Sequence, residues 1–566
     1  DYGLTKLQVI YYPKDKPNEA KRGTLPVSKD VYDQIVFAFP STLPIQPGVN
    51  YEYYFEIFDN DALHNFKSAK SAVFSHREST ETEKEDELLQ QQNDNINSLE
   101  KSLKTQEKQQ SELDKLQKMG KEKESLEFKE QQKVNDFINR QKKQDEMMKE
   151  FAEKMKENLD KDKSDKKDEK KELLKDRLDK VDKDFEKNKK LLDELKELND
   201  KIQKEELFEK MEKFQQQSKN QNKSLEQLVE LTKKYYVEKK AQQIAEKLDK
   251  LAEKQDKLAE SEKENNAEKQ EDINKEFDKL KEELNELEKE NKELKAPVDL
   301  PETDPKEKSI DEDLKNASDQ LQKQQKDKAK PKQKSASKKM KQMSQDMQES
   351  MQESEQEQLE EDVEMLRQIL DNLLAYSFSQ EDVMKQFKGL KRGSPSFVKN
   401  LKKQQDLKQQ FKHVDDSLFA MSLRNPKIGE EVTKSIGDVQ YNVDKAIETL
   451  AEANVSKGTS HQQFAVSAAN KLADMLADAL NNMQMSMSMS GQGSGKPKPG
   501  QGSGMQLPDI IKKQEGLGEK MKKGMKPGQK PGEDPGEGSS GSQGEKEGGK
   551  EGGKQGKDGK QGDGKE

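Results

Sequence analysis

Few residues in this chain have types and spacings that do chemistry, and each set is incomplete. Asp59, Asn60 and Asp61 crowd three oxygen donors into one turn, as a calcium loop does. The further ligands, the fixed glycine and the flanking helix pair of such a loop are missing, so the reading is an Asx-type turn ending a strand. His64, His76, His413 and His461 stand apart, without metal-ligand spacing. Neither His413 nor His461 has a glutamate three residues before it, as a metal site in a helical bundle requires. Met340, Met343, Met347 and Met351 recur at helical spacing. Thioethers suit a soft ion such as Cu(I) or an adaptable groove, but no His or Cys accompanies them. The expectation is an exposed helix with a packing stripe. The aromatic stripe Tyr51, Tyr53 and Phe55 reads as core rather than as a carbohydrate platform. GQGSGKPKPG, from Gly491, lacks the preceding strand, the following helix and the Lys-Ser/Thr ending of a phosphate loop. With no cysteine there is no thiolate nucleophile, thiolate metal site or disulfide. The expectation is a non-enzymatic protein with no catalytic, cofactor-binding or metal-ligating residues and no cofactor.

Composition points the same way. Apolar residues make up 29% of the 566 and charged residues 39%, too little apolar surface for one large core. The 104 basic and 114 acidic residues leave a net charge of −10 and alternate along the chain. Without a basic block, nucleic acid is excluded as the main partner. No run reaches the ~18 apolar residues that span a bilayer. The chain starts at Asp1 directly in a strand-like segment, so the expectation is a fragment or processed product with any targeting sequence or membrane anchor upstream.

The elements that would position any site are mainly α. Residues 1–77 read as a partial, sandwich-like module of antiparallel strands. The candidate strands are Leu4–Tyr12, Val31–Phe39, Asn50–Phe58 and Ala69–Ser75. Residues 78–171 read as a charged helical segment with a thin apolar face, hinged near Asp160–Lys171. Residues 172–295 carry a heptad seam, and its first register runs Leu174, Leu178, Val181, Phe185, Asn188, Leu192, Leu195, Asn199, Ile202. A one-residue slip precedes Leu207, where the supercoil is perturbed or the helix changes partner. Asn265 and Asn266 interrupt the stripe again, which favours a hairpin over one long parallel rod. Asn188, Asn199 and Asn291 sit at seam positions, where a buried amide lowers stability but restricts register. Replacing Asn291 by leucine is accordingly expected to raise stability. Residues 296–335 read as a Pro- and charge-rich linker and 336–362 as a Met/Gln-rich helix. Residues 363–482, with broad faces such as Val363, Leu366, Ile369, Leu370, Leu373 and Leu374, read as an antiparallel helical bundle. Residues 483–566 read as a disordered Gly/Lys/Gln/Glu-rich tail, suited to loose contact with charged wall polymer.

Several blocks resemble a family of large Bacteroidetes, chiefly flavobacterial, envelope proteins catalogued as a domain of unknown function. They are DYGLTKL at Asp1, PGVNYEYYFEIFDNDALHNFKSAKS from Pro47 and IAEKLDKLAEKQDKLAE from Ile244. LRQILDNLLAYSFSQEDVM from Leu366, DDSLFAMSLRNPKI from Asp415 and AANKLADMLADAL from Ala468 complete the set. The family's usual DNDGVNGPKS turn is replaced here by Ala62, Leu63, His64, Asn65 and Phe66. The resemblance implies membrane-spanning helices near the precursor's N-terminus and a long extracytoplasmic part on the periplasmic side of the inner membrane. It supplies no catalytic residue. A scaffold or spacer of the cell envelope is the leading expectation. A binding module for cell-wall or envelope protein partners, acting through the coiled coil or bundle, possibly on itself, is the second. A cytoplasmic coiled-coil protein is the third.

Overall fold

A computed structural model describes residues 3–62, 66–122, 127–161, 168–390 and 394–490. The described chain is mainly helical, with an antiparallel β module at its N-terminus. Strands β1 (Leu4–Pro13), β2 (Lys21–Leu25), β3 (Asn50–Asp59), β4 (Ser68–Lys70) and β5 (Phe74–Arg77) form one sheet in the order β2-β1-β3-β4, with β5 also on β3. Val9 lies opposite both Gly23 and Phe55, so Leu7, Val9 and Tyr11 share a face with Tyr53, Phe55 and Ile57. A Cβ on Gly23 would stand 2.6 Å from Leu43 Cδ2 and 3.1 Å from Val9 Cγ1, so the bare glycine gives the Leu43 side chain room over this face.

Two strand expectations change, and one strand was not expected. Val31–Phe39 alternates as a strand but joins no ladder; it crosses the sheet face instead. Ala69–Ser75 is split between β4 and β5, because Ser71 turns in to bond Phe55 through both its backbone N–H and its hydroxyl. Lys21–Leu25, with a single apolar side chain, pairs with β1 and carries no sequence pattern of a strand.

The helices are α1 (Glu81–Glu122), α2 (Phe128–Lys161), α3 (Glu169–Asp200), α4 (Lys204–Glu260), α5 (Ala267–Lys292), α6 (Asp304–Gln322), α7 (Lys326–Phe387), α8 (Pro395–Ser422), α9 (Glu430–Ala451) and α10 (Val455–Ser490). Two of them form a spine. At 57 and 62 residues, α4 and α7 reach about 85 and 93 Å at 1.5 Å per residue. They run antiparallel: Ser337 donates to the Ala252 carbonyl at 2.8 Å, and further along Lys234 donates to Gln358. Helices α1, α3, α5, α7 and α9 pack on α4, and α4, α6, α8 and α10 pack on α7.

The heptad stretch is therefore three helices, and its seams are covered within the chain. The register slip before Leu207 is a reversal. Ile202 adopts φ +58°, and the Gln203 N–H returns to the Leu198 carbonyl at 3.1 Å, which ends α3. Gln324 (φ +57°) and Ala453 (φ +64°) close α6 and α9 in the same way. The second reversal, at Ser261–Asn266, lies where the stripe breaks, with Asn266 capping α5 through the Lys269 N–H at 2.9 Å.

The expected linker 296–335 is mostly helix, comprising α6 and the start of α7. Pro331 lies inside α7 because the stripe Ala329, Gln333, Ala336, Met340, Met343, Met347 is buried without a gap, and small residues let α7 approach α4 closely. One helix, α7, runs through both 336–362 and the start of 363–482, and a second core begins at Val363. Residues 363–387 of α7 then form an antiparallel four-helix bundle with α8, α9 and α10. Of the expected tail, 483–490 belong to α10, and the remainder lies outside the described residues.

Candidate functional site

The side chains that sequence analysis singled out are scattered. Asp59 accepts from the Asp61 N–H at 3.2 Å, and Asn60 exchanges bonds with the Gly3 backbone at 3.1 and 3.0 Å, so the trio is an Asx turn tied to β1. His76 packs edge-on against Phe39 at 5.3 Å. His413 is exposed on α8, His461 Nδ1 lies 3.1 Å from Asn442 Oδ1, and His64 is outside the described residues. Burial, then Lys445 and Lys457, pulls the His461 imidazole down. Met340, Met343 and Met347 are a packing stripe, but not that of an exposed helix. Each is fully buried among leucines of α4, α5 and α6. Among the described residues no three His, Asp or Glu converge as metal ligands, and no helix is long and apolar enough to cross a membrane.

The chemistry that the fold does assemble is polar and internal. One layer crosses α1 to α4 between two apolar cores. Gln141 donates to Gln106 at 3.0 Å and to Asp145 at 2.7 Å, Gln144 donates to Ser102, and Gln217 donates to Asn188 at 2.7 Å. Asn188 in turn donates to Gln221. Burial pushes the Asp145 carboxyl up to about 7, against the hydrogen bonds from Gln141 and Asn188. An acid poised there suits proton transfer. Asp145 is 5% exposed and met by amides, so what it does is fix one pairing of four helices. This residue was missed from sequence, although a signal was there: Val134, Ile138, Gln141, Asp145, Met148, Ala152, Met155 and Leu159 step by four and three along α2.

Two further amide layers lock the other ends. Gln333 donates to Asn265 at 2.9 Å and Gln270 at 2.8 Å, and Gln255 and Gln270 exchange bonds. Gln404 exchanges bonds with Gln380 and accepts from Gln462 at 2.6 Å, joining α7, α8 and α10.

The helices of the first core meet the terminal bundle through charge. Arg177 of α3 donates to the carbonyls of Pro426 and Ile428 in the α8–α9 turn. Lys223 of α4 bonds both carboxylate oxygens of Asp415 at 2.9 Å, and Gln227 donates to Thr433 at 3.0 Å. Beside them Glu430 hydrogen-bonds Asp184. Burial, then this neighbouring carboxylate, raises Glu430 to about 8. Burial opposes ionisation of Asp184, but the bonds from Glu430 and Lys187 outweigh it and hold that carboxyl below its usual range. Asp362 is raised by burial although Asn425 and Arg424 both contact it, and burial lowers Lys234 nearby. Sequence spacing gives no signal for these pairs, because their partners lie far apart in the chain.

No family profile matches the chain, and no curated protein or solved structure is similar to it.

Proposed function

We propose that this protein is a non-enzymatic helical scaffold or spacer, the extracytoplasmic part of a membrane-anchored protein of the bacterial cell envelope, on the periplasmic side of the inner membrane. The scaffold reading is carried by the α4–α7 spine. Two long antiparallel helices have their seams covered by seven others, and polar layers fix the register at several levels. The buried carboxyls Asp145, Glu430 and Asp362 each meet a side chain of another helix or turn: Asn188, Asp184 and Asn425. The envelope reading is supported by the resemblance of the blocks from Pro47, Leu366, Asp415 and Ala468 to the Bacteroidetes envelope family. Its partners are proteins met through the helical surfaces.

The absence of native cysteine makes both halves testable with introduced thiols. Spin labels at Lys213→Cys and Lys257→Cys, both exposed on α4, are expected to give a narrow distance distribution near about 66 Å. A broad distribution would refute a rigid spacer. In cells, the full-length protein carrying Lys257→Cys is expected to react with a membrane-impermeant maleimide in intact spheroplasts. Labelling only after lysis overturns the envelope reading and leaves the scaffold reading standing.

A further inference from the structure

The β module has a second layer made of one unpaired segment. Val31–Phe39 runs extended across the sheet, with Phe37 edge-on to Phe55 at 6.0 Å and Phe39 stacked on Tyr53 at 4.1 Å. Phe37 and Phe39 are half-buried while Gln34, Val36 and Ala38 are exposed, which is the alternation of a strand. Yet it has no ladder. The Leu4 N–H bonds the Asp30 carbonyl just before it, and the Leu43 N–H bonds Pro40 just after. Between them no backbone-to-backbone hydrogen bond forms among the described residues, and the Gln34 N–H reaches only the Asp33 side chain.

Alongside lies an open groove of about 450 Å³, floored by Leu7, Leu25, Phe55 and Ile57. Its rim leaves Val31 67%, Tyr32 77% and Ile35 37% exposed. Single exposed apolar residues need no explanation, but a run of them beside an open groove and an unpaired backbone marks a place where something binds.

We propose that this groove accepts one extended strand of another polypeptide. The strand carries apolar residues at alternate positions, pairs with the Val31–Phe39 backbone, and sets its side chains on Leu7, Leu25 and Ile57. The unpaired N–H and C=O groups select the occupant. A helix has its own backbone bonded and a lipid tail has none to offer, whereas a strand supplies donors and acceptors at matching spacing. Apolar side chains on one face of that strand match the apolar floor. Residues 491–566 contain no run of alternating apolar residues of the kind this floor would take. The inference concerns the β module and does not depend on the scaffold reading.

The test uses the whole chain of 566 residues and labelled peptides of about nine residues with Val, Ile or Phe at alternate positions, each against a counterpart with Ser there. The apolar peptides are expected to bind at least about tenfold more tightly than the serine peptides in fluorescence anisotropy. Backbone amides between Val31 and Phe39 should gain protection from hydrogen exchange on binding. Ile35→Lys, at an exposed position on the groove, should abolish both effects while β1 and β3 amides stay protected, which reports an intact sheet. Equal binding of the two peptide sets, or binding without protection of this segment, overturns the proposal. Protection already present in the free protein also overturns it; if sedimentation then shows a dimer, a second copy is the occupant.

Discussion

Asn291→Leu separates two ways of reasoning about a polar residue in an apolar seam. From the heptad alone, leucine should stabilise by removing a buried amide. The structure gives the opposite sign. Asn291 Nδ2 donates to the Val298 carbonyl at 2.8 Å, and Asn291 Oδ1 accepts from the Val298 N–H at 2.8 Å, so one side chain satisfies both backbone groups of a buried residue beyond the end of α5. Leucine leaves both unpaired, at about 2 kcal/mol each, or about 4 in all. Burying its side chain returns about 2 kcal/mol, so the expected net loss is about 2 kcal/mol. Asn291→Ala, without that return, should lose about 4 kcal/mol. Several cores unfold in one chain, so a single global free energy is not the right measure. Native-state hydrogen exchange at the end of α5 and at Val298 is, and about 2 kcal/mol corresponds to roughly thirtyfold faster exchange. Slower exchange in Asn291→Leu, or equal loss in the two variants, would refute the reasoning.

Three other outcomes follow from the same contacts. Asp145 is held neutral up to about 7 in the fold but ionises near 3.8 once exposed, so its contribution is complete at acid pH and is lost as pH rises from about 4 to about 7. Native-state hydrogen exchange of the α1–α4 amides around this layer should show this loss, up to about 4 kcal/mol, and Asp145→Asn should flatten it. Ile202 is β-branched, 59% exposed and at φ +58°, so Ile202→Gly should relieve the turn and raise stability by up to about 1 kcal/mol, read as a higher melting temperature for α3 and α4. Leu373, 1% exposed in the terminal bundle, should tolerate no charge: Leu373→Asp should cost at least about 4 kcal/mol and remove the cooperative helical melt of α7–α10 by circular dichroism.

The amino-acid order by itself determined which face of each helix is apolar, since a four-three stripe depends only on 3.6 residues per turn. That is why the stripes of α3, α4 and α5, the broad face from Val363 and the alternation in β1 and β3 were legible, along with the break at Asn265 and Asn266. Tertiary structure alone decided what covers those faces. The reversal at Ile202 uses a left-handed residue where glycine would have announced a turn, so a continuous heptad stretch concealed a fold-back. Met340 to Met347 look like the packing stripe of an exposed helix until α4, α5 and α6 close over them. Asn291 looks like a register device until Val298 returns to it, and Val31–Phe39 has a strand's alternation without a neighbour to bond. A period is fixed by residues within a turn or two of one another. A partner is fixed by where distant parts of the chain come together, and in helices this uniformly charged, local patterns leave many partners nearly equivalent.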